Sequence, residues 1–298
     1  MDAYVIGNVA IDETLAVSAM PKPGASILGT ELSRDLGGKG ANQAVVMARC
    51  GLHTHLVAGV GGDLRGDLVR QRLAAEPVTE RLISIAGRST DFSIILTTPD
   101  GENAIVTTTD CAQSLNVAQA VAALEAVQPG DLAVLQGNLT DAVTRSVLEA
   151  ARARQMVTAF NPSPLRPFFG DLWSLIDIAF LNEGEALALT DATGEEAARK
   201  LLAAGVKAVV LTFGRDGAML ATDGGIIRVP AVACPVVDTT GAGDTFMAAA
   251  LASAGLRGTA LDRTAIEHAS KASALTVSRP GTQSAFPTVE ELAAVLDR

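Results

Sequence analysis

A glycine turn joined to a carboxylate stands at Asp238-Thr239-Thr240-Gly241-Ala242-Gly243-Asp244-Thr245-Phe246. Glycine lets the backbone approach a ligand closely and adopt positive φ. The apolar run Met247 to Ala252 follows directly, so the turn opens a buried helix. The first turn of such a helix leaves N–H groups without intrahelical partners, and with the helix dipole these form an anion site. Asp244 sits in that first turn. A carboxylate there repels a bound phosphate, and taking a proton beside that phosphate is one reason to keep it. An ordinary Asp cap behind a flexible turn fits the same residues, and the local pattern alone does not separate the two.

A second glycine-led helix start is Gly37-Gly38-Lys39-Gly40-Ala41-Asn42-Gln43-Ala44. The pattern predicts a helix over Asn42 to Cys50, stopped by Gly51. Lys39 and Asn42 stand at its beginning, where polar side chains face a ligand or merely cap the turn. Asp12 follows the apolar segment Ala3 to Ile6. A carboxylate just past a strand's carboxyl end in an α/β protein lies where ligands bind, although a solvated loop Asp fits as well. His53 and His55 alternate on a predicted strand, and with no third donor near in sequence they are expected to be surface or edge histidines rather than metal ligands.

The elements that must position these residues alternate. Strands are predicted at Thr54–Val60, Leu132–Gln136, Met156–Asn161, Ile176–Leu181 and Ala208–Thr212. Helices are predicted at Asp67–Ala75, Val117–Val127, Ala142–Ala153 and Thr264–Val277. Such alternation predicts an α/β fold, a mostly parallel sheet with helices on both faces. Leu15 to Leu36 reads as short strands and turns. Ser93–Thr98 and Asn103–Thr109 read as hairpin arms around the Asp100-Gly101 turn.

Together the two glycine stretches, in this order, resemble the paired signatures of the ribokinase-like (PfkB) family of carbohydrate kinases, and the resemblance runs from Gly7 to Gly281. It implies one three-layer α/β/α catalytic domain over residues 1–298, with a small β lid from about 12–36 and 90–109. It implies transfer of the γ-phosphoryl group of ATP to a hydroxyl of a sugar or sugar-like polyol. Asp244 would be the base, and the Gly241, Ala242 and Gly243 amides would offset charge on the transferred group. Asp12, Gly38, Lys39, Asn42 and Asn138 would hold the acceptor. Asn182 and Glu185, matching an N-x-x-E motif, would act on Mg²⁺ through water; alone, they read as a helix cap. Thr212, Gly214 and Gly217 would line the ATP site, though they also suit a plain hairpin turn. Asp238 and Thr240, with the Gly281 loop, would hold a monovalent cation, K⁺, and the loop Arg279 to Gln283 would pack near the adenine. Two positions depart from the family's ribose-specific pattern: Ala10 replaces an Asn, and Asn138 replaces a Glu. A nucleoside kinase of the same superfamily shares the phosphate-side residues and stays open, as does a sugar or nucleotide sensor without a reaction. A homodimer through the lid edges is a further expectation.

Composition narrows the classes. The net charge of −10 and the lack of a Lys/Arg cluster argue against nucleic acid. Three widely spaced cysteines give no C-x-x-C pair, which predicts neither a disulfide framework nor a zinc knuckle and fits a reducing cytoplasm. The amino terminus lacks a signal-peptide pattern, and no apolar run is long enough to predict a membrane span. Walker A, G-x-G-x-x-G after the first strand, and G-x-S-x-G are all missing, which removes P-loop, dinucleotide and serine-hydrolase readings.

Overall fold

In the computed structural model, residues 1–99 and 103–297 are described. The expected Asp100-Gly101 turn therefore lies outside the described residues. The chain runs β1 (Ala3–Ile6), β2 (Ala10–Val17), β3 (Gly29–Gly37), α1 (Lys39–Arg49), β4 (Thr54–Val60), α2 (Leu64–Leu73), β5 (Thr79–Ser84), β6 (Phe92–Thr97) and β7 (Asn103–Thr107). It continues with α3 (Asp110–Ser114), α4 (Val117–Ala122), β8 (Leu132–Gln136), α5 (Asp141–Ala153), β9 (Val157–Asn161), β10 (Ile178–Asn182), α6 (Glu183–Thr190) and α7 (Gly194–Ala203). The last elements are β11 (Ala208–Thr212), β12 (Ala218–Thr222), β13 (Gly225–Val229), α8 (Ala242–Arg257), α9 (Arg263–Val277) and α10 (Val289–Val295).

Nine strands form one sheet in the order β13-β12-β11-β10-β9-β8-β1-β4-β5. From β11 to β5 all neighbours are parallel, and β12 and β13 add an antiparallel edge. The central strands are apolar on both faces because both are covered. Val5 and Leu56 face a core shared with α1, α8 and α9. Their neighbours Tyr4, Ile6 and Val57 face the opposite core, built with α4, α5 and α7. The period-two alternation of a strand thus feeds two helical layers, giving the three-layer α/β/α architecture.

β3, β2, β6 and β7 form a second, smaller sheet. It is antiparallel except for the parallel pair β2–β6. β2 leaves the large sheet just after β1, and β3 returns directly into α1. This short excursion hangs the small sheet beside the carboxyl ends of the parallel strands, where loops of α/β sheets gather ligands.

Several boundaries differ from expectation: α4 ends at Ala122 rather than Val127, and β9 and β10 begin at Val157 and Ile178. α2 starts at Leu64, not Asp67, because the Asp63 side chain accepts the Gly66 N–H and caps the helix early. α1 starts at Lys39, because Gly38, at φ 89°, forms its entry.

Candidate active site

α8 is the helix opened by the glycine turn. Residues Asp244 to Ala254 are all buried, so the helix runs through the core. Gly241 precedes it at φ 75°, and a Cβ there would lie 2.6 Å from the Phe286 ring. Only glycine fits both demands. The expectation of three bare amides needs correction at Ala242, whose N–H donates to the Thr239 carbonyl at 3.2 Å within the turn. A Cβ on Gly243 would meet nothing within 4 Å, so that backbone is open on its outer side.

Asp244 is 6% exposed. Its Oδ2 accepts from Asn42 Nδ2 and its Oδ1 from Gln43 Nε2, both at 2.9 Å. Both amides come from α1, so the two glycine-led helix starts converge on one carboxylate. Gln43 in turn accepts from Gln136 Nε2 at 2.7 Å.

Asp12 lies on β2, 6% exposed, and Gly37 leaves it room: a Cβ on Gly37 would sit 2.2 Å from its carboxylate. Burial pushes the Asp12 carboxyl above the usual carboxylate range, against hydrogen bonds from Ser93 and Thr282, and the charges of Asp244 and Asp35 push the same way. Asp35 pairs across β2–β3 with Asp12. Thr282 Oγ1 donates to Asp12 at 3.1 Å, while Ser284 Oγ donates to Asp35 at 2.7 Å. Thr282, in the loop expected beside the adenine, and Ser284 just after it thus use short hydroxyl side chains to satisfy two buried carboxylates.

Gly38 packs tightly, a Cβ there lying 2.9 Å from both Val9 Cα and Ala10 N. Lys39 is the first residue of α1. Asn138 follows β8, is 4% exposed, and its Oδ1 has no hydrogen-bond partner among the described residues. These residues gather on the same side as Asp12 and Asp244, at the carboxyl ends of β1 and β8.

A cavity of about 480 Å³ opens next to the glycine turn, lined by Thr212, Gly214, Gly217, Thr239, Ala242 and Gly243. This is the size of a small-molecule site. Its other wall, including Val236, Ser273 and Val277, carries no motif and was not foreseen. A larger cavity of about 620 Å³ lies at the opposite end of the strands, against Leu132, Val157 and Ala208, and meets none of the expected site residues.

The chain matches the pfkB family carbohydrate kinase model over residues 2–289. It belongs to the pfkB family of carbohydrate kinases. Ribokinase from Staphylococcus aureus is 30% identical, with 97% of each chain covered. Ribokinase from mouse is 31% identical over 97% of this chain and 92% of its own. Among solved structures, ribokinase from Thermotoga maritima superposes with a TM-score of 0.89 at 28% identity, covering 100% of both chains. The Arabidopsis thaliana ribokinase complexed with ribose and ATP gives 0.87 at 25% identity, covering 100% of this chain and 99% of that one. The protein is an ATP-dependent carbohydrate kinase.

Two further groups of this pfkB kinase were the ones expected to serve ions. Asp238 Oδ1 accepts the Thr240 N–H at 2.9 Å and Oδ2 accepts the Gly281 N–H at 3.2 Å, so the three expected cation residues do meet. Asn182 and Glu185 form a reciprocal capping box at the start of α6. The box uses Oε2 of Glu185, and Asn182 pairs in register with the cavity residue Thr212. His53 is exposed, as expected. His55 departs from expectation: it is buried, with Tyr4 stacked on it at a ring-centroid distance of 4.6 Å. Asp2 supplies the third donor that spacing did not reveal, all three lying within 4.8 Å. The 2.7 Å contact between His53 Nδ1 and Asp2 Oδ2 accounts for that grouping.

Proposed function

We propose that this kinase phosphorylates a hydroxyl of a small sugar, with Asp244 as its base. One observation carries the reading: a buried carboxylate at the glycine-led start of α8 faces Asp12 and is oriented by Asn42 and Gln43. Asp244 takes the hydroxyl proton as the acceptor oxygen bonds to the γ-phosphorus. The bond to the bridging oxygen breaks, and ADP departs with the electron pair. The Gly241 and Gly243 amides, with the Ala242 amide shared with Thr239, offset charge on the moving phosphoryl group. ATP occupies the cavity lined by Thr212, Gly214 and Gly217. Asp12, Gly38, Lys39, Asn42 and Asn138 hold the acceptor. The small sheet, within 12–36 and 90–109, serves as a lid on a single catalytic domain spanning 1–298, keeping water from the phosphate.

Relatives named ribokinase and deoxyribokinase make a pentose the first acceptor class to test. Ala10 and Asn138 alter that pocket relative to the family's ribose pattern. Assayed with Mg-ATP on pentoses, hexoses, polyols and nucleosides, the wild type should phosphorylate a sugar best. Asp244→Asn should lose about 10²–10⁴ in kcat on that sugar while still binding nucleotide. Near-normal turnover by the variant would remove Asp244 from its role.

Mg²⁺ fits a site with few protein ligands. Glu185 keeps one carboxylate oxygen outside its cap, and the ion would otherwise be held by phosphate and water, neutralising phosphate charge when bound. K⁺ fits the Asp238–Thr240–Gly281 meeting point, where a carboxylate joins two loops beside the glycine turn. Activity should rise when K⁺ replaces a bulky organic cation, and a flat response would count against the site. The three scattered cysteines support a reducing cytoplasm as the compartment. The outer strands β3 and β7 support pairing of two copies through the small sheet.

A further inference from the structure

Asp244 sits at the end of a chain of amides whose direction it dictates. An ionised carboxylate only accepts hydrogen bonds. Gln43 must therefore turn its NH₂ towards Oδ1, at 2.9 Å. That leaves Gln43 Oε1 facing away, and it accepts from Gln136 Nε2 at 2.7 Å. Gln136 must in turn point its carbonyl onward, against the backbone of Gly7, where a Cβ would lie 2.0 Å from Oε1. Both glutamines are completely buried. Gln136 Oε1 has no hydrogen-bond partner among the described residues. What this glutamine supplies is a donor to Gln43, which an apolar side chain of the same shape would not.

The charged neighbours indicate the role. Asp12 on β2 acts on Asp244 across the cleft, and Asp35 on β3 stands behind Asp12. Like charges favour protonation of a carboxylate. On the α9 side, Thr276 bonds Thr245 and brings no charge. Within α1, Lys39 stands at the first position, and the side chains that touch Asp244 are the two amides. Amide donors on both oxygens fix the direction in which the carboxylate points.

We propose that Gln136 and Gln43 are positioning residues for phosphoryl transfer, a directional amide relay from β8 through α1 that keeps Asp244 aimed. The inference rests on Asp244 being the base. Gln136 touches neither the carboxylate nor the substrates' reacting atoms and acts only through Gln43.

The test is Gln136→Met, with Gln136→Glu beside it. Met keeps the volume but removes the donor to Gln43 Oε1, so only Asp244 is left to orient Gln43. It should lose about 10-fold in kcat, with the ATP and acceptor KM within about twofold of wild type. A carboxyl at this completely buried position stays neutral and its O–H can still donate to Gln43, so Gln136→Glu should keep kcat within about threefold of wild type. Wild-type kcat in Gln136→Met overturns the relay, as does a Gln136→Glu variant no faster than Gln136→Met. If Gln136→Met does not fold, Gln43→Met, which removes the donor to Asp244 itself, decides: wild-type kcat overturns the relay. Asp244→Asn, assayed alongside, separates the two readings. If it still turns over, the base assignment fails; if it is inactive while the Gln136 variants behave like wild type, the relay alone fails.

Discussion

Asp12 is one buried side chain on which affinity and pH response would both turn. Its carboxyl sits above the ordinary range chiefly because burial disfavours the charge. As pH falls, the charged form therefore begins to disappear at a higher pH than for an exposed Asp. If that form grips the acceptor, the acceptor KM of the wild type should climb over this acid range while the ATP KM stays level. Asp12→Asn should raise the acceptor KM by roughly 10–100-fold at neutral pH, the worth of a hydrogen bond to a charged group, and should flatten the acid climb. Steady-state kinetics at several pH values check both; an unchanged acceptor KM would move Asp12 out of the acceptor site. Asp12, Asn42 and Asp244 were legible in sequence because glycine turns or a strand end framed them. Gln43, Gln136, Asp35 and Thr282 were not. Asp244 lies 201 residues from Gln43, and Gln43 lies 93 from Gln136. No local spacing reports contacts of that separation, and a buried Gln looks like any polar residue until its partner is known.

At the scale of elements, legibility followed apolar content. The strands Thr54–Val60, Leu132–Gln136 and Ala208–Thr212 match their predicted bounds because each is a continuous hydrophobic run covered on both faces. β5 and β13, mostly exposed edge strands, carry too little apolar signal to stand out. α8 is apolar on nearly every side, so its place in the core was visible, but the clamp on its entry was not. Phe286, from the far end of the chain, lies against Gly241 and holds the turn from outside. Gly241→Ala must either shift that ring or move the turn, and it must also hold alanine at φ 75°. The cost should be about 1–3 kcal/mol in chemical denaturation, with kcat reduced more than the acceptor KM because the amides beside the phosphate move. A variant with wild-type stability and kcat would show that the turn adapts freely.

At the scale of the molecule, the βα alternation announced three layers, whereas the small sheet draws its strands from two separated segments and showed only as turns and short β-prone runs. Its order, β3-β2-β6-β7, leaves β3 and β7 as open edges. Leu32 on β3 is 59% exposed and Val106 on β7 is 69% exposed. Open edges carrying apolar side chains invite pairing unless something covers them. A second copy would cover them symmetrically and stiffen a sheet that has few other supports, whereas the large sheet has helices on both faces. A stable pair needs roughly 800 Å² buried on each partner, more than two edge strands alone provide, so side chains of the sheet face must join the contact. The wild type should therefore sediment as a dimer at micromolar concentration. Leu32→Lys combined with Val106→Lys should shift it to a monomer while leaving the melting of the large sheet unchanged. If the small sheet serves as the proposed lid, the monomer should bind ATP normally but show a raised acceptor KM, because that lid loses its brace. A wild type that sediments as a monomer at tens of micromolar, or a double variant that stays dimeric, would place the interface elsewhere and leave the small sheet to close over the acceptor unaided.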